Sequence, residues 1–143
     1  MFERERMDSR AVLYDYAIEM VGTPYRWGGS NPMTGLDCSG LVICLLQSVG
    51  VLGDGDWTAE GLREKFLAVP ESPDFGALVF FGKDKASHIG FCLNATLMLE
   101  AGGGDHTVLT RSDAEEKGAY VRVRPIAHRS DVLGYRLPPY PWK

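Results

Sequence analysis

The chain has no excess of positive charge. Its 15 lysines and arginines stand against 19 acidic residues, for a net charge of −4 and a pI near 5.3. No basic field is available to hold phosphates, so nucleic acid and anionic lipid surfaces are poor partners. Cysteine is scarce as well. Cys38, Cys44 and Cys92 are too few and too irregularly spaced for a zinc site or a disulfide framework, and their odd number leaves at least one thiol free. No apolar run reaches the length of about 18 residues that would span a bilayer. The first ten residues, Met1 to Arg10, carry charges of both signs and lead into no apolar signal core. Asp54 and Asp56 lack the rest of a calcium loop, and Gly102-Gly103-Gly104 lacks the lysine and hydroxyl of a phosphate-binding loop. The expectation is therefore no metal and no organic cofactor.

What remains is ordinary globular material. At 143 residues and 45% hydrophobic content, the chain fits one domain over 1–143, with no repeat or linker. Asp8 or Ser9 can cap a first helix that turns Val12, Leu13, Tyr16, Ala17 and Met20 to one face, until Gly22 and Pro24 stop it. A second helix should run from about Cys38 to Val49, with Asp37 or Cys38 near its cap, Gly50 as its breaker and apolar residues on most sides. A third is expected from Thr58 to Leu67, facing Leu62, Phe66 and Leu67 inward, with Pro70 and Pro73 ending it.

Beyond that point the period becomes that of strands. Ala77 to Phe81, Ile89 to Leu93, Leu97 to Ala101, Tyr120 to Arg124 and Val132 to Leu137 are the candidates, with Asn94-Ala95-Thr96 as a hairpin turn. Pro138, Pro139 and Pro141 suggest an extended tail. Helices first and antiparallel strands afterwards make an α+β order, with the helices packed on one face of the sheet.

The stretch from Gly22 to Val42 is the most distinctive. A loop rich in glycine, proline and aromatics delivers Cys38 to the start of the apolar helix. Unpaired N–H groups and the positive end of the macrodipole favour thiolate there, although most free cysteines are simply small buried residues. Cys44 and Cys92 both read as core. A thiolate nucleophile needs a histidine base and a third group that orients the imidazole. His88 lies 50 residues beyond Cys38 at the opening of a strand, which suits a base; His106 and His128 read as surface residues.

Tyr25-Arg26-Trp27-Gly28-Gly29, followed by Leu36-Asp37-Cys38-Ser39-Gly40-Leu41-Val42, closely resembles the signature of the NlpC/P60 family of cysteine peptidases, which cleave peptide stems of bacterial peptidoglycan. The family's His-Val-Gly-Ile-Tyr strand is matched by His88-Ile89-Gly90-Phe91-Cys92. Its Gly-Asp-Leu-Val-Phe-Phe strand is matched by Gly76 to Phe81, with Ala77 in place of Asp. The resemblance covers roughly residues 10 to 105, and the segment from His106 to Lys143 carries no matched motif.

The resemblance implies a papain-like NlpC/P60 fold, Cys38 as nucleophile and His88 as base. The family's third position, usually a second His and sometimes Asn or Gln, falls on Glu100, 12 residues after His88. Its carboxylate can accept the His88 Nδ1–H and favour the imidazolium. A competing reading makes His106 the orienter, swung in by the glycine loop; Glu100 is preferred because a strand holds geometry better. Tyr25 is expected beside the thiol as an oxyanion donor, together with the Cys38 backbone N–H. Asp37 and Ser39 either contact the amine end or polar stem of the substrate or cap the helix, and Trp27 either walls the groove or joins the core.

The implied partner is a peptidoglycan stem peptide, cut at the bond between γ-D-glutamyl and the diamino acid, a preference that comes wholly from the resemblance. With no signal core, the expectation is synthesis in the cytoplasm and delivery to the wall by a phage tail or secretion-system partner. The alternatives are a non-catalytic phage-tail module and a cysteine amidase or acyltransferase acting on a non-wall substrate.

Overall fold

The computed structural model describes residues 2–69 and 73–142, with side chains from residue 9 onward. Pro70, expected to help end the third helix, lies outside the described residues. The first helix, α1 (Phe2–Glu19), starts ahead of the expected Asp8 or Ser9 cap, and both residues lie inside it. The Glu and Arg residues that precede them are good helix formers and carry the helix back. Leu13, Ala17 and Met20 are buried and Tyr16 partly so, whereas Val12, expected on the same stripe, is exposed. A helix whose apolar stripe packs on α2 (Cys38–Ser48) while Tyr14 and Arg10 reach Phe75 needs only a narrow apolar face.

In α2 every residue from Gly40 to Leu46 is buried, as its all-round apolar sequence requires. Asp37 caps it, and Gly50 follows its end in a left-handed turn at φ 74°. The short α3 (Ala59–Lys65) is capped by Thr58, whose Oγ1 accepts from the Gly61 N–H at 3.0 Å. Leu62 and Phe66 face inward as expected, but Leu67 is 81% exposed. The backbone turns extended at Phe66, and Leu67 opens a strand at the edge of the sheet instead of continuing the helix face.

Six antiparallel strands follow: β3 (Leu67–Val69), β4 (Leu78–Gly82), β5 (Ala86–Cys92), β6 (Leu97–Gly102), β7 (Tyr120–Pro125) and β8 (Val132–Leu137). β1 (Ser30–Asn31) and β2 (Gly35–Leu36) pair antiparallel as a separate small hairpin. The order across the sheet is β3-β8-β4-β5-β6-β7, so the last strand of the chain is an interior one. Asn94 shapes the β5–β6 turn, its Oδ1 accepting from the N–H groups of Thr96 and Leu97 at 2.9 and 2.8 Å.

Residues alternate between the two faces. Leu78, Phe80, Ile89, Phe91, Leu99 and Ala101 join the main core with the helices. Val79, Phe81, Cys92 and Met98 form a smaller cluster with Ala77 and Ile126.

Several short elements escape the periodic reading: the β1–β2 hairpin, β3, the single turn Ile126–His128, and α4 (Arg111–Lys117), which lies within a segment that reads only as polar. Thr110 and Asp113 form a reciprocal capping box, and Gly118 ends the helix in the left-handed conformation. The tail also does more than extend. Tyr140 is buried, stacks on Trp142 with ring centroids 4.5 Å apart, and donates its hydroxyl to the Gly76 carbonyl at 2.6 Å. Tyr140→Phe should therefore lower stability by about 1–2 kcal/mol through loss of this buried hydrogen bond. Urea denaturation would measure it, and an unchanged midpoint would show that the tail only covers the core.

Candidate active site

The loop from Gly22 to Leu36 is seated on backbone groups from the other end of the chain. Tyr25 N–H donates to the Ala119 carbonyl at 3.0 Å and Trp27 N–H to the Val108 carbonyl at 2.8 Å. Its far side lies directly on α2, where a side chain at Gly40 would overlap the Gly29 carbonyl. Asp37 fastens this junction. One carboxylate oxygen, Oδ1, accepts from the Gly40 N–H at 2.7 Å and the Ser39 hydroxyl at 3.2 Å, while Oδ2 accepts from the Gly28 N–H at 3.1 Å. Burial raises the Asp37 pKa even though these hydrogen bonds pull it down. Both oxygens of Asp37 are thus engaged in capping and in holding the loop, and Ser39 bonds to Asp37.

This arrangement places Cys38 at the first residue of α2, half-buried, with its thiol close enough to His88 to act on the imidazole. His88 is the third residue of β5 rather than its opening, because the strand starts earlier, at Ala86, in pairing with β4. The start of β5 is tied to α3, where Glu60 Oε1 accepts from the Ala86 N–H at 2.8 Å. By strand parity His88 and Glu100 share the face of Cys92 and Met98, and the Phe81 ring tilts against the imidazole at 5.6 Å.

His88 Nε2 donates to Glu100 Oε1 at 2.6 Å. The expected contact through Nδ1 is therefore corrected: Glu100 takes Nε2, which leaves Nδ1 for the thiol. Glu100 is 2% exposed, buried at the sheet. Burial alone would push the His88 pKa down, but hydrogen bonds and charge from Cys38 and Glu100 outweigh it and raise the value to about 9. Burial likewise works against the Glu100 carboxylate, yet the hydrogen bond and charge of His88, with the charges of His128 and Arg124, hold its pKa below the ordinary range.

Cys38, His88 and Glu100 open onto one cavity of about 620 Å³, which Tyr25, Trp27, Asp37 and Ser39 also line. Every residue expected at the site from sequence is gathered there. Trp27, 52% exposed, walls the groove. Tyr25 is buried, and burial together with the charges of Cys38, Asp37 and Asp105 raises its pKa, so its hydroxyl stays protonated and able to donate. The glycine run has a specific purpose here: a side chain at Gly104 would collide with the Tyr25 ring. His106, the competing orienter, is exposed and meets the Trp27 ring edge-on at 6.2 Å.

Cys44 and Cys92 are core, as expected. The Cys44 thiol donates to the Ser30 carbonyl at 3.0 Å, and burial pushes Cys92 up to about 12.

Three cavity residues come from the segment without a motif: Arg124, His128 and Arg129. Arg124 Nε and His128 Nε2 face Glu100 Oε2 at 3.5 and 3.6 Å, and Arg129 forks onto Asp131 at 2.9 and 2.8 Å. His128 is exposed, as its surface reading expects, and it also lines the cavity. Only the pairing of β6 with β7 brings Arg124 beside Glu100, and no local pattern announces that. Among the described residues, no group of three or more His, Cys, Asp or Glu is placed to hold a metal ion, and no helix is long and apolar enough to cross a membrane.

The NlpC/P60 family model matches residues 22–124, beginning later and running further than the motif resemblance. The chain is 37% identical over 84 residues to murein DD-endopeptidase MepH of Escherichia coli, covering 55% of this chain and 31% of that protein. It is 38% identical over 88 residues to the bifunctional muramidase/DL-endopeptidase CwlT of Bacillus subtilis, covering 59% and 26%. With dipeptidyl-peptidase 6 of Lysinibacillus sphaericus it shares 34% over 106 residues, covering 73% and 36%. The chain thus spans about a third of the length of these curated relatives. Among solved structures, the peptidoglycan hydrolase RipB of Mycobacterium tuberculosis superposes with a TM-score of 0.72 at 24% identity, covering 96% of this chain and 68% of that one. The NlpC/p60 domain of the peptidoglycan hydrolase SagA gives 0.67 at 23%, covering 90% and 97%. The α+β architecture is the papain-like fold expected from the resemblance.

Gly104→Ala should displace the Tyr25 ring and cost roughly 1–3 kcal/mol through overpacking, read by chemical denaturation; unaltered stability would mean that the loop yields freely. The raised His88 pKa contributes stability that is complete below its ordinary value of 6.5 and is lost as pH rises through about 9. In Glu100→Gln that alkaline decline should shift to lower pH, whereas His106→Asn should leave it in place. Thermal melts between neutral and alkaline pH would show it.

Proposed function

The chain belongs to the NlpC/P60 family, and on that premise we propose that it is a cysteine endopeptidase of peptidoglycan stem peptides, cutting between γ-D-glutamyl and the diamino acid. The observation that carries this reading is the set Cys38, His88 and Glu100, with the thiol at a helix N-terminus and the imidazole bonded to a buried carboxylate 2.6 Å away. An acid-stabilised imidazolium beside a thiolate is the pair that thiol acyl transfer needs.

The Cys38 thiolate attacks the amide carbonyl carbon, forming a C–S bond and placing charge on the carbonyl oxygen. The Tyr25 hydroxyl and the Cys38 N–H, which is left over from the helix ladder, are the donors for that oxyanion. Collapse of the tetrahedral intermediate breaks the C–N bond as the His88 imidazolium gives its proton to the leaving amine. The neutral imidazole then takes a proton from water, whose oxygen attacks the thioester; the acid product leaves and the thiol–imidazole pair is restored. Glu100 holds the imidazole ring and its charge throughout. Asp37 fixes the loop and the helix start, and Trp27 and Ser39 wall the groove toward the substrate.

Relatives are named for different bonds, CwlT as a DL-endopeptidase and MepH as a DD-endopeptidase, so the choice of bond rests on the family resemblance. Mass spectrometry of purified peptidoglycan digested by the wild type and by Cys38→Ala tests both levels of the proposal. Stem peptides cut after γ-D-glutamyl by the wild type alone are expected, with a loss of at least about a thousandfold in Cys38→Ala. Cleavage of D-Ala cross-links would overturn the bond. Absence of any product across several wall chemistries, with the protein folded, would overturn the peptidase reading.

A further inference from the structure

Glu100 is an unusual orienter because a buried carboxylate, unlike a neutral amide or imidazole, pulls hard on the proton it faces. Its surroundings show how that pull is moderated. Oε1 is taken by His88, while Oε2 is faced by Arg124 Nε at 3.5 Å and by His128 Nε2 at 3.6 Å. Arg124 Nη1 in turn lies 3.4 Å from the His128 ring, so the two groups brace each other across the second oxygen. These partners come from β7 and from the single turn Ile126–His128 that follows it, and they approach on the side away from the imidazole's carboxylate contact. The carboxylate is held on both oxygens, by His88 on Oε1 and by Arg124 and His128 on Oε2, and cannot rotate without losing some of these contacts.

We propose that Arg124, steadied by His128, is a positioning residue for the catalytic set: it fixes the Glu100 carboxylate and draws off part of its charge, so that His88 remains acidic enough to return its proton. This proposal rests on the catalytic reading of Cys38, His88 and Glu100 given above, and Arg124 itself need touch neither thiol nor substrate.

The charged and titratable groups around the pair are few. Cys38 at the start of α2 and Glu100 on β6 face His88 directly. Arg124 and His128 face Glu100, and Arg129 and Asp131, paired with each other, lie close enough to interact with Glu100 and His88 respectively. Within this group Arg124 brings a fixed positive charge to the second oxygen of Glu100, and the His128 imidazole lies beside it. Removing the Arg124 charge should leave more of the carboxylate's pull on the imidazole. The His88 proton would then be held more tightly and released to a leaving amine more slowly.

The test reads His88 directly and needs no peptidoglycan. Ring NMR of the intact protein, in which three histidines make assignment simple, follows the His88 midpoint in the wild type, Arg124→Gln, Arg124→Lys and His128→Gln. Alkylation of Cys38 by iodoacetamide across pH provides a second readout. Arg124→Gln should move the His88 midpoint up by roughly half a unit or more, carrying the alkaline limb of alkylation with it, and Arg124→Lys should restore both. His128→Gln, at a partly exposed turn that tolerates change, should shift the midpoint in the same direction by less; it serves as the deciding variant if Arg124→Gln does not fold.

A His88 midpoint unchanged or lowered in the folded variants overturns the proposal, even if the wild type digests cell wall. A shift as described, in a protein that cleaves no wall peptide, upholds the coupling and overturns the peptidase reading instead.

Discussion

The carboxylate of Asp37 is the interaction on which the rest of the site depends. One oxygen closes the first turn of the buried helix and the other holds the glycine loop, so that loop and helix behave as a single object with Cys38 at their junction. The junction works because the helix and loop backbones come closer at Gly40 than a side chain there would permit, the Gly29 carbonyl occupying that space. The thiol therefore sits on the most deeply packed helix of the protein while remaining open to a cavity. Precision comes from the core, and access comes from the loop.

The second half of the site is built on a different principle. His88 and Glu100 are held by strands whose register is set by ladder pairing, and they share the face of a small apolar cluster that includes Phe81, Cys92 and Met98. Against this low-dielectric backing a single carboxylate has a large effect on the imidazole. The second oxygen of that carboxylate is faced by the Arg124 guanidinium, which offsets part of its charge.

Much of this was legible locally. The helix carrying Cys38 announced itself by an apolar run bounded by Asp37 and Gly50, and the strands of His88 and Glu100 by their continuous apolar residues. Local pattern failed where tertiary pairing decides. Val12 fits the helical stripe but faces solvent, and Leu67 fits a helix face but begins an edge strand. The α4 helix was within reach, since Thr110, Asp113 and Gly118 are its cap signals, but its sparse apolar content hid it. The ring nitrogen that Glu100 engages and the roles of Arg124 and His128 depend on the curvature and pairing of the sheet, which no spacing in the chain encodes.

The position of β8 bears on where this fold can be cut. The family match stops at residue 124, yet β8, which follows it, lies between β3 and β4, and Tyr140 anchors the segment entering β4. A fragment drawn to the limits of the match would expose one long side of β4 as an unpaired, apolar edge, an invitation to self-association between chains. The boundary of recognisable sequence and the boundary of a foldable unit are thus different places, and fusion or truncation designs should take the second.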